Sequence, residues 1–213
     1  MKTPKETRNS KLGPHVVQAL KSRFFDAWYY DDPAEAVNFI VSLIPKDHLV
    51  SWGGSLTAAG LNLTKLAAEK GYKVIDRDKA QSPEERTELM RQSLLCDTFL
   101  TGTNALTEDG QLVNIDGGGN RVAAMTFGPR QVIVVAGMNK VAKKLEDAFL
   151  RAKTIAAPLN MQRFPNARTP CNETGACADC LSPDSICSFI VRTRLCKPAG
   201  RIKVILIGKD LGL

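Results

Sequence analysis

One loop in this sequence combines a carboxylate, three glycines and a guanidinium within six consecutive residues. Its members are Asp116, Gly117, Gly118, Gly119, Asn120 and Arg121. Glycine lets the backbone approach a ligand closely, and three in succession carry an entropic cost that a plain connection does not require. Asp116 is a candidate general base or acceptor for substrate hydroxyls, and Arg121 is a candidate for bidentate anion binding. The alternative is a solvated turn in which Asp116 and Asn120 act as helix caps.

A second glycine loop offers hydroxyl groups instead of charges. It contains Gly53, Gly54, Ser55 and Thr57, and it leads from a predicted strand into a predicted helix. Free amides at a helix N-terminus attract phosphate or carboxylate, and the two hydroxyls add hydrogen-bond donors. The loop lacks the Gly-Lys-Ser/Thr of a Walker A motif and does not match the GxGxxG pattern. The alternative is a tight turn with a serine cap.

Five cysteines near the C-terminal end follow the spacing C-x5-C-x2-C-x6-C-x8-C. The predicted metal ligands are Cys171, Cys177, Cys180 and Cys187, and Cys196 is the spare. Four thiolates suit zinc or a 4Fe–4S cluster, although the spacing matches neither a usual ferredoxin run nor a ribbon with two CxxC pairs. The alternative is a loop of free thiols. A reducing compartment argues against it, and so does the composition of this segment, which has few apolar residues to form a core.

Strand and helix patterns alternate along most of the chain. They predict an α/β fold with an open, mostly parallel, Rossmann-like sheet that carries helices on both faces, plus a cysteine-rich C-terminal appendage. Predicted strands lie at 48–52, 72–75, 98–101, 111–115, 131–136 and 202–207, and predicted helices at 15–30, 32–45, 55–70, 82–96, 120–127 and 140–156. The turn signal at 108–110 predicts one antiparallel excursion.

Ligands bind such sheets at the carboxyl ends of the strands, where both glycine loops are expected to lie. Lys140 follows the predicted buried strand 131–136, so it is either a further anion ligand at this edge or an exposed lysine in the first turn of a helix.

The patterns divide the chain into four segments. Residues 1–13 are predicted to form a basic N-terminal arm, and residues 14–156 the α/β domain. Residues 157–200, rich in Pro, Cys and small polar residues, are predicted to form the appendage. Residues 201–213 provide a strand that returns to the domain.

Charge is distributed unevenly along the chain. Residues 1–23 carry a net charge of +5 and residues 151–213 a net charge of +6, whereas residues 24–150 carry −4. An acidic body with few aromatic residues near the basic tail argues against a nucleic-acid partner. No apolar run approaches the roughly 20 residues that cross a bilayer, and no targeting segment is visible. The expectation is a cytoplasmic protein with no membrane or nucleic-acid partner.

Several motifs together resemble the lactate-utilization (LUD) domain family. They occupy residues 53–57, 104–110, 116–121, 137–140 and 210–212, and the spacing of the C-terminal cysteines belongs to the same resemblance. Together these motifs extend the resemblance over about residues 15–213. It implies a fold similar to the superfamily of ribose-5-phosphate isomerase, glucosamine-6-phosphate deaminase and CoA-transferase. It adds Asn104 to the expected anion ligands and Glu108, beside Asp116, to the expected proton-transfer groups. Some members belong to an iron–sulfur system that oxidises L-lactate to pyruvate, which slightly favours an iron–sulfur cluster over zinc.

The sequence departs from the enzymes of this superfamily at two points. Sugar-phosphate isomerases carry a lysine before a similar glycine run, where this chain has Asp116, so isomerase activity does not transfer. The glutamate nucleophile of CoA-transferases lies in a different local motif, which does not match the residues around Glu108. The resemblance therefore implies a pocket for a small anion but no specific mechanism.

The leading hypothesis is a LUD-domain protein that takes part in the oxidation or utilization of a small hydroxy acid such as lactate. Its expected partners are a small anionic substrate and iron–sulfur oxidoreductase subunits, and whether it is itself an enzyme is left open. The alternative is a non-catalytic accessory subunit of an iron–sulfur oxidoreductase complex, docked through its basic ends. A zinc-stabilised nucleic-acid binder ranks last.

Overall fold

The computed structural model describes residues 2–213, and within this range the strands form two sheets. The strands are β1 (Asp26–Tyr30), β2 (Leu49–Trp52), β3 (Lys73–Ile75), β4 (Thr98–Gly102), β5 (Ala105–Thr107), β6 (Leu112–Asp116), β7 (Gln131–Gly137), β8 (Val141–Ala142), β9 (Phe189–Thr193) and β10 (Ile202–Ile207). The larger sheet has the order β1-β10-β7-β4-β2-β3, and every pairing in it is parallel. The predicted α/β fold with a mostly parallel sheet is confirmed.

Nine α-helical segments connect the strands in the described range. They are α1 (Pro4–Ser22), α2 (Pro33–Ser42), α3 (Leu56–Gly60), α4 (Leu63–Glu69), α5 (Pro83–Gln92), α6 (Asn120–Thr126), α7 (Leu145–Arg151), α8 (Ala157–Met161) and α9 (Pro170–Thr174). Within residues 2–213, none of them combines the length and the apolar character that a membrane crossing requires.

Helices cover both faces of the parallel sheet. Successive side chains of a strand point to opposite faces, and β7 is buried along its whole length. Val132 and Val134 belong to a core that includes Val16 of α1. Ile133 belongs to a second core with Ile40 of α2. The run 131–136 is thus the buried central strand that its β-branched composition predicted.

The smaller sheet has the order β8-β5-β6-β9. Strands β5 and β6 form the antiparallel excursion predicted at 108–110. Strand β9, from the region predicted as a cysteine-rich appendage, pairs antiparallel with β6 over its whole length. Cys187 packs against the apolar core of this sheet. A separate cysteine-rich appendage is therefore not confirmed, because this segment contributes a strand to the body of the fold.

The prediction of one helix over 15–30 is wrong. Helix α1 begins earlier, at Pro4, where Thr3 and Glu6 form a capping box, and it ends at Ser22. Phe24 then adopts a left-handed φ of 67°, which a helix cannot contain. Residues 26–30 form the edge strand β1 and pair with β10, with Ala27 opposite Val204. A partner so distant in the sequence leaves no local signal.

The predicted helix over 140–156 also differs from the structure. Residues 138–142 form a short turn and β8, so α7 starts only at Leu145. The chain stays helical beyond residue 156, through Pro158 and to Met161, whereas the predicted helix ends at 156. A π-helical turn, Ala152–Ala156, precedes this proline. Such wider turns accommodate a residue that cannot donate the regular helical hydrogen bond.

Candidate anion-binding site

A cleft opens at the carboxyl edge of the parallel sheet, between the ends of β2 and β4. The chain that leaves β2 turns through α3 and α4 to β3 on one side, whereas the chain that leaves β4 continues through the smaller sheet and α6 to β7 on the other. Neighbouring strands whose connections diverge in this way create a crevice. Its cavity volume is about 290 Å³.

Most of the predicted site residues meet in this cleft. Those that line it are Gly54, Ser55, Asn104, Asp116, Gly117, Gly118, Asn120, Arg121 and Lys140. The remaining four are not lining residues. Gly53 packs under the Arg121 side chain, Gly119 under the ring of Phe189, and the Thr57 hydroxyl against Lys140. Glu108 forms a salt bridge with Lys143 instead of facing the cleft.

Close packing explains why glycine occupies two of the three consecutive positions, Gly117 and Gly119. A Cβ on Gly117 would lie 3.2 Å from Cα of Ile186. Gly119 has a left-handed φ of 78°, and its Cβ would lie 3.0 Å from the ring of Phe189. The loop is therefore held against the segment that enters β9 and is not a free turn. Through this contact Ile186, which precedes Cys187, becomes part of the cleft wall.

Asp116 acts as the helix cap of the alternative interpretation through one oxygen only, and its role toward a substrate stays a prediction. Its Oδ2 accepts a hydrogen bond from the backbone N–H of Val122 at 3.0 Å, which caps the first turn of α6. The same oxygen lies 3.9 Å from Nε of Arg121. Within residues 2–213, Oδ1 has no hydrogen-bond partner, and the side chain is 13% exposed. One carboxylate oxygen is thus structural, while the other can accept a proton or a hydrogen bond.

Arg121 is braced by the protein itself. Its Nη1 donates to the carbonyl of Gly102 at 3.1 Å and to Oδ1 of Asn114 at 2.8 Å. Its Nη2 donates to Oδ1 of Asn104 at 2.9 Å and to the carbonyl of Ile115 at 2.7 Å. These bonds engage the four terminal N–H groups that a bidentate anion contact would use. Arg121 therefore contributes charge to the cleft and ties the end of β4 to β6.

Lys140 is buried, with only 5% of its surface exposed, so it is not the exposed lysine of the alternative interpretation. Its Nζ donates to Oγ1 of Thr57 at 2.9 Å. That hydroxyl in turn donates to the carbonyl of Leu211 at 3.4 Å. Burial, together with the positive charges of Arg151 and Arg121, lowers the pKa of Lys140 to about 7. Near neutral pH this side chain is consequently present both as amine and as ammonium.

Three arginines of the cleft were missed by the sequence analysis: Arg77, Arg86 and Arg163. Arg77 is the most buried of them, with a side chain 12% exposed, and burial lowers its pKa. Its Nε is buried without a hydrogen-bond partner in the described chain. In the amide orientation that satisfies both groups, Asn120 accepts from Nη1 of Arg77 at 3.2 Å.

One signal could have found Arg77. It follows β3, and the carboxyl ends of parallel strands share one edge of the sheet. No comparable signal marks Arg86, on α5, or Arg163, beyond α8, because helix connections carry no such positional rule.

The cleft is strongly cationic. Five basic side chains line it, and Asp116 is the one acidic side chain among its lining residues. A concave site walled by one sign of charge focuses the potential and attracts ligands of the opposite sign. Arg86 donates to Oδ1 of Asp78 at 3.0 Å, whereas Nε of Arg77 lies 3.8 Å from the same oxygen and makes no hydrogen bond to it. The charged groups that act on Lys140 within residues 2–213 are both basic. The arrangement suits a small anion.

The four cysteines predicted as metal ligands are free, half-buried thiols in one region. Burial raises the pKa of Cys187, and the neighbouring thiols of Cys177, Cys171 and Cys180 raise it further. Within residues 2–213, however, no group of three or more His, Cys, Asp or Glu side chains is arranged to hold a metal ion. These residues in their present positions do not form a metal centre, and metal binding stays a prediction.

The two other cysteines are structural. Cys196, the spare in the predicted ligand set, is 2% exposed, and its Sγ accepts from the backbone N–H of Ile202 at 3.2 Å. Burial raises the pKa of Cys96 to about 12, and its thiol donates to the carbonyl of Thr98.

A solved structure shows the same fold at low sequence identity. A DUF162 family protein from Deinococcus radiodurans aligns over 93% of this chain and 98% of its own, with a TM-score of 0.54 and 12% identity. The delta subunit of eIF2B from Chaetomium thermophilum aligns over 51% of this chain and 48% of its own, with 15% identity and a TM-score of 0.33, too low to support an argument.

Among curated proteins none matches the chain. The model of the LUD domain family, in contrast, matches residues 14–207, which include both sheets and every residue of the cleft named above except those that follow β10. The chain belongs to the LUD domain family.

Proposed function

We propose that the cleft binds a small carboxylate anion, and that the protein thereby takes part in the oxidation or utilization of a hydroxy acid such as lactate. The observation that carries this proposal is the excess of positive charge in the cleft, five basic side chains against one acidic, with Arg77, Arg121 and Lys140 largely buried. Family membership points to the same class of substrate. Buried charges are stabilised by partners of opposite sign, and a bound anion supplies such a partner.

Arg77 and Asp116 are the residues proposed to contact the ligand directly. Nε of Arg77 has no hydrogen-bond acceptor in the described chain, and its nearest carboxylate oxygen, Oδ1 of Asp78, lies 3.8 Å away, so the guanidinium is weakly paired and a ligand carboxylate at its terminal N–H groups would add a partner. Oδ1 of Asp116 is the proposed acceptor for the substrate hydroxyl or its proton. Arg121 is proposed to hold the walls of the cleft and to add its charge, because its terminal N–H groups are already engaged.

The size of the cleft limits the ligand. A cavity of about 290 Å³ lies just below the range of small-molecule sites, about 300–1,000 Å³. An acid of a few carbon atoms fits this volume, whereas a dinucleotide would extend beyond it. The walls are polar, so hydrogen bonds and charge would provide the specificity.

Oxidation of a hydroxy acid releases two electrons, which require an acceptor. The acceptor we propose is an iron–sulfur centre, held either by Cys171, Cys177, Cys180 and Cys187 or by an oxidoreductase partner subunit. Zinc is the alternative occupant of the cysteine site, and it would be structural. Because the thiols are not arranged around an ion here, no reaction step is assigned to them.

Calorimetric titration tests the binding step. Titrants are L-lactate, pyruvate, glycolate and phosphate, added to the full chain and to Arg77→Met. The matched control is Arg91→Met, since Arg91 lies on the exposed surface of α5 outside the cleft. We expect Arg77→Met to weaken carboxylate binding at least tenfold, about 1.4 kcal/mol, and the control to bind like the unaltered chain. Absence of binding by all four anions, or equal effects of the two variants, would overturn the proposal.

A further inference from the structure

Lys140 is a buried amine in the cationic cleft, and the charged groups that act on it within residues 2–213 are all basic. Arg151 and Arg121 are its charged neighbours, and no carboxylate is among them. A buried lysine is normally paired with an acid, because desolvation of an unpaired ammonium is expensive. Lys140 lies beside a ligand cleft without such an acidic partner. This arrangement is typical of groups that act in the neutral amine form.

The hydrogen bonds around Lys140 leave its lone pair free. The hydroxyl of Thr57 uses its proton toward the carbonyl of Leu211, so its oxygen acts as the acceptor for Nζ of Lys140. Nζ therefore donates in its one hydrogen bond, and the described chain places no donor on the nitrogen lone pair. An amine held by one N–H and open on its lone-pair side can attack an electrophilic carbon.

We infer that Lys140 is a nucleophile that forms an imine with a small anion bearing an aldehyde or ketone, such as a 2-oxo acid. This inference rests on the proposed function in one respect, since the cationic cleft must bind the carboxylate of the same molecule. It adds a reaction class and assigns a second ligand group, the carbonyl, to the side of the cleft near Thr57.

The proposed step balances without an oxidant or reductant. The lone pair of Nζ forms a bond to the carbonyl carbon, while the carbon–oxygen π pair moves to the oxygen. A proton lost from Nζ neutralises that oxygen and gives a carbinolamine. The hydroxyl group then leaves as water with the second proton of Nζ, while the nitrogen lone pair forms the carbon–nitrogen double bond, so one amine and one carbonyl yield one imine and one water. The reverse reaction returns the free amine.

Reductive trapping tests the inference on the full, unaltered chain. Glyoxylate and sodium cyanoborohydride are added, and peptide mass mapping compares carboxymethyl transfer to Lys140 with transfer to Lys65, whose side chain is 72% exposed. An exposed lysine is about one part in 10³ neutral at pH 7, so we expect Lys140 to react at least tenfold faster. Its rate should level off above about pH 8, whereas the rate at Lys65 continues to rise.

Two further arms separate this inference from the proposed function. Lactate and phosphate, which lack an aldehyde or ketone group, should slow trapping at Lys140 and leave Lys65 unaffected. Arg77→Met, which removes a proposed carboxylate ligand and leaves the Lys140 amine in place, should slow trapping at Lys140 and leave Lys65 unaffected. Labelling of Lys140 at or below the rate of Lys65 overturns the inference, and if lactate still binds in that case the proposed function stands. Loss of both trapping and anion binding would overturn both.

Discussion

Nζ of Lys140 lies 2.9 Å from Oγ1 of Thr57, across 83 positions of sequence. This contact joins the turn after β7 to helix α3, which follows β2, and β4 lies between these two strands in the sheet. The Thr57 hydroxyl also contacts the carbonyl of Leu211, so the segment after β10 joins the same point. Three strand ends are thereby connected beside the cleft, and a titratable amine is buried where they meet.

The first prediction concerns pH and Lys140→Met. The pKa of Lys140 falls from 10.5 in the unfolded chain to about 7 in the folded one. At a pH between these two pKa values, the unfolded state therefore binds more protons than the folded state. Linkage then requires the contribution of Lys140 to stability to rise with pH, by at most about 1.4 kcal/mol per pH unit. Lys140→Met removes this dependence.

Urea unfolding at a series of pH values measures that effect. The stability advantage of Lys140→Met over the unaltered chain should be greatest below about pH 7 and should shrink steadily toward pH 10. Lys65→Met, at an exposed position, is the control and should show a constant difference. A pH-independent difference for Lys140→Met would show that Lys140 does not titrate in this range.

A second prediction follows from the four hydrogen bonds of Arg121. Lysine cannot reproduce the planar fork that reaches Gly102, Asn104, Asn114 and Ile115. Arg121→Lys should therefore lower the free energy of unfolding by about 2–4 kcal/mol, because buried acceptors lose their donors. Arg130→Lys, whose side chain is 80% exposed, should change it by less than about 0.5 kcal/mol. Equal stabilities of the two variants would contradict the bracing role.

A third prediction uses the contact between Gly54 and Arg77. A Cβ on Gly54 would lie 2.8 Å from Nη2 of Arg77, the movable end of a flexible side chain. Gly54→Ala should displace the guanidinium and weaken anion binding about three- to tenfold, with a change in stability below about 1 kcal/mol. Calorimetry and urea unfolding measure the two effects separately.

Gly60→Ala is the matched control for Gly54→Ala. A Cβ on Gly60 meets no atom within 4 Å, and the residue lies in α3. This substitution should leave anion binding unchanged and stabilise the helix by up to about 1 kcal/mol. If both alanine variants bind the anion equally well, Arg77 does not depend on Gly54 for its position.

The fourth prediction concerns metal content. Protein purified under anaerobic conditions should contain iron and acid-labile sulfide, or zinc, in proportion to the chain, and Cys180→Ser should lose at least half of it. Cys96→Ala is the control that should retain the full content, because the Cys96 thiol is buried against Thr98. Absorption spectra and elemental analysis decide between the metals. If the unaltered protein contains no iron, no acid-labile sulfide and no zinc, the cysteine site is no longer part of the proposal.

Local patterns in the sequence were sufficient to predict the scaffold of the cleft. The β-branched run 131–136 identified the buried strand β7, and the turn at 108–110 identified the β5–β6 hairpin. Both glycine loops lie at the predicted edge because parallel strands bring their carboxyl ends to one side of a sheet. These predictions succeed because hydrophobic periodicity, turn preference and strand direction are properties of neighbouring residues.

The tertiary structure alone decided which groups are free to react. Residues 26–30 are a strand because they pair with β10, and Arg121 has its N–H groups engaged because strands β4 and β6 present acceptors to it. Lys140 is buried near Arg151 and Arg121, and Arg77 reaches the cleft from the end of β3. Burial, hydrogen-bond satisfaction and proton affinity depend on partners distant in the sequence, so no local pattern contains them.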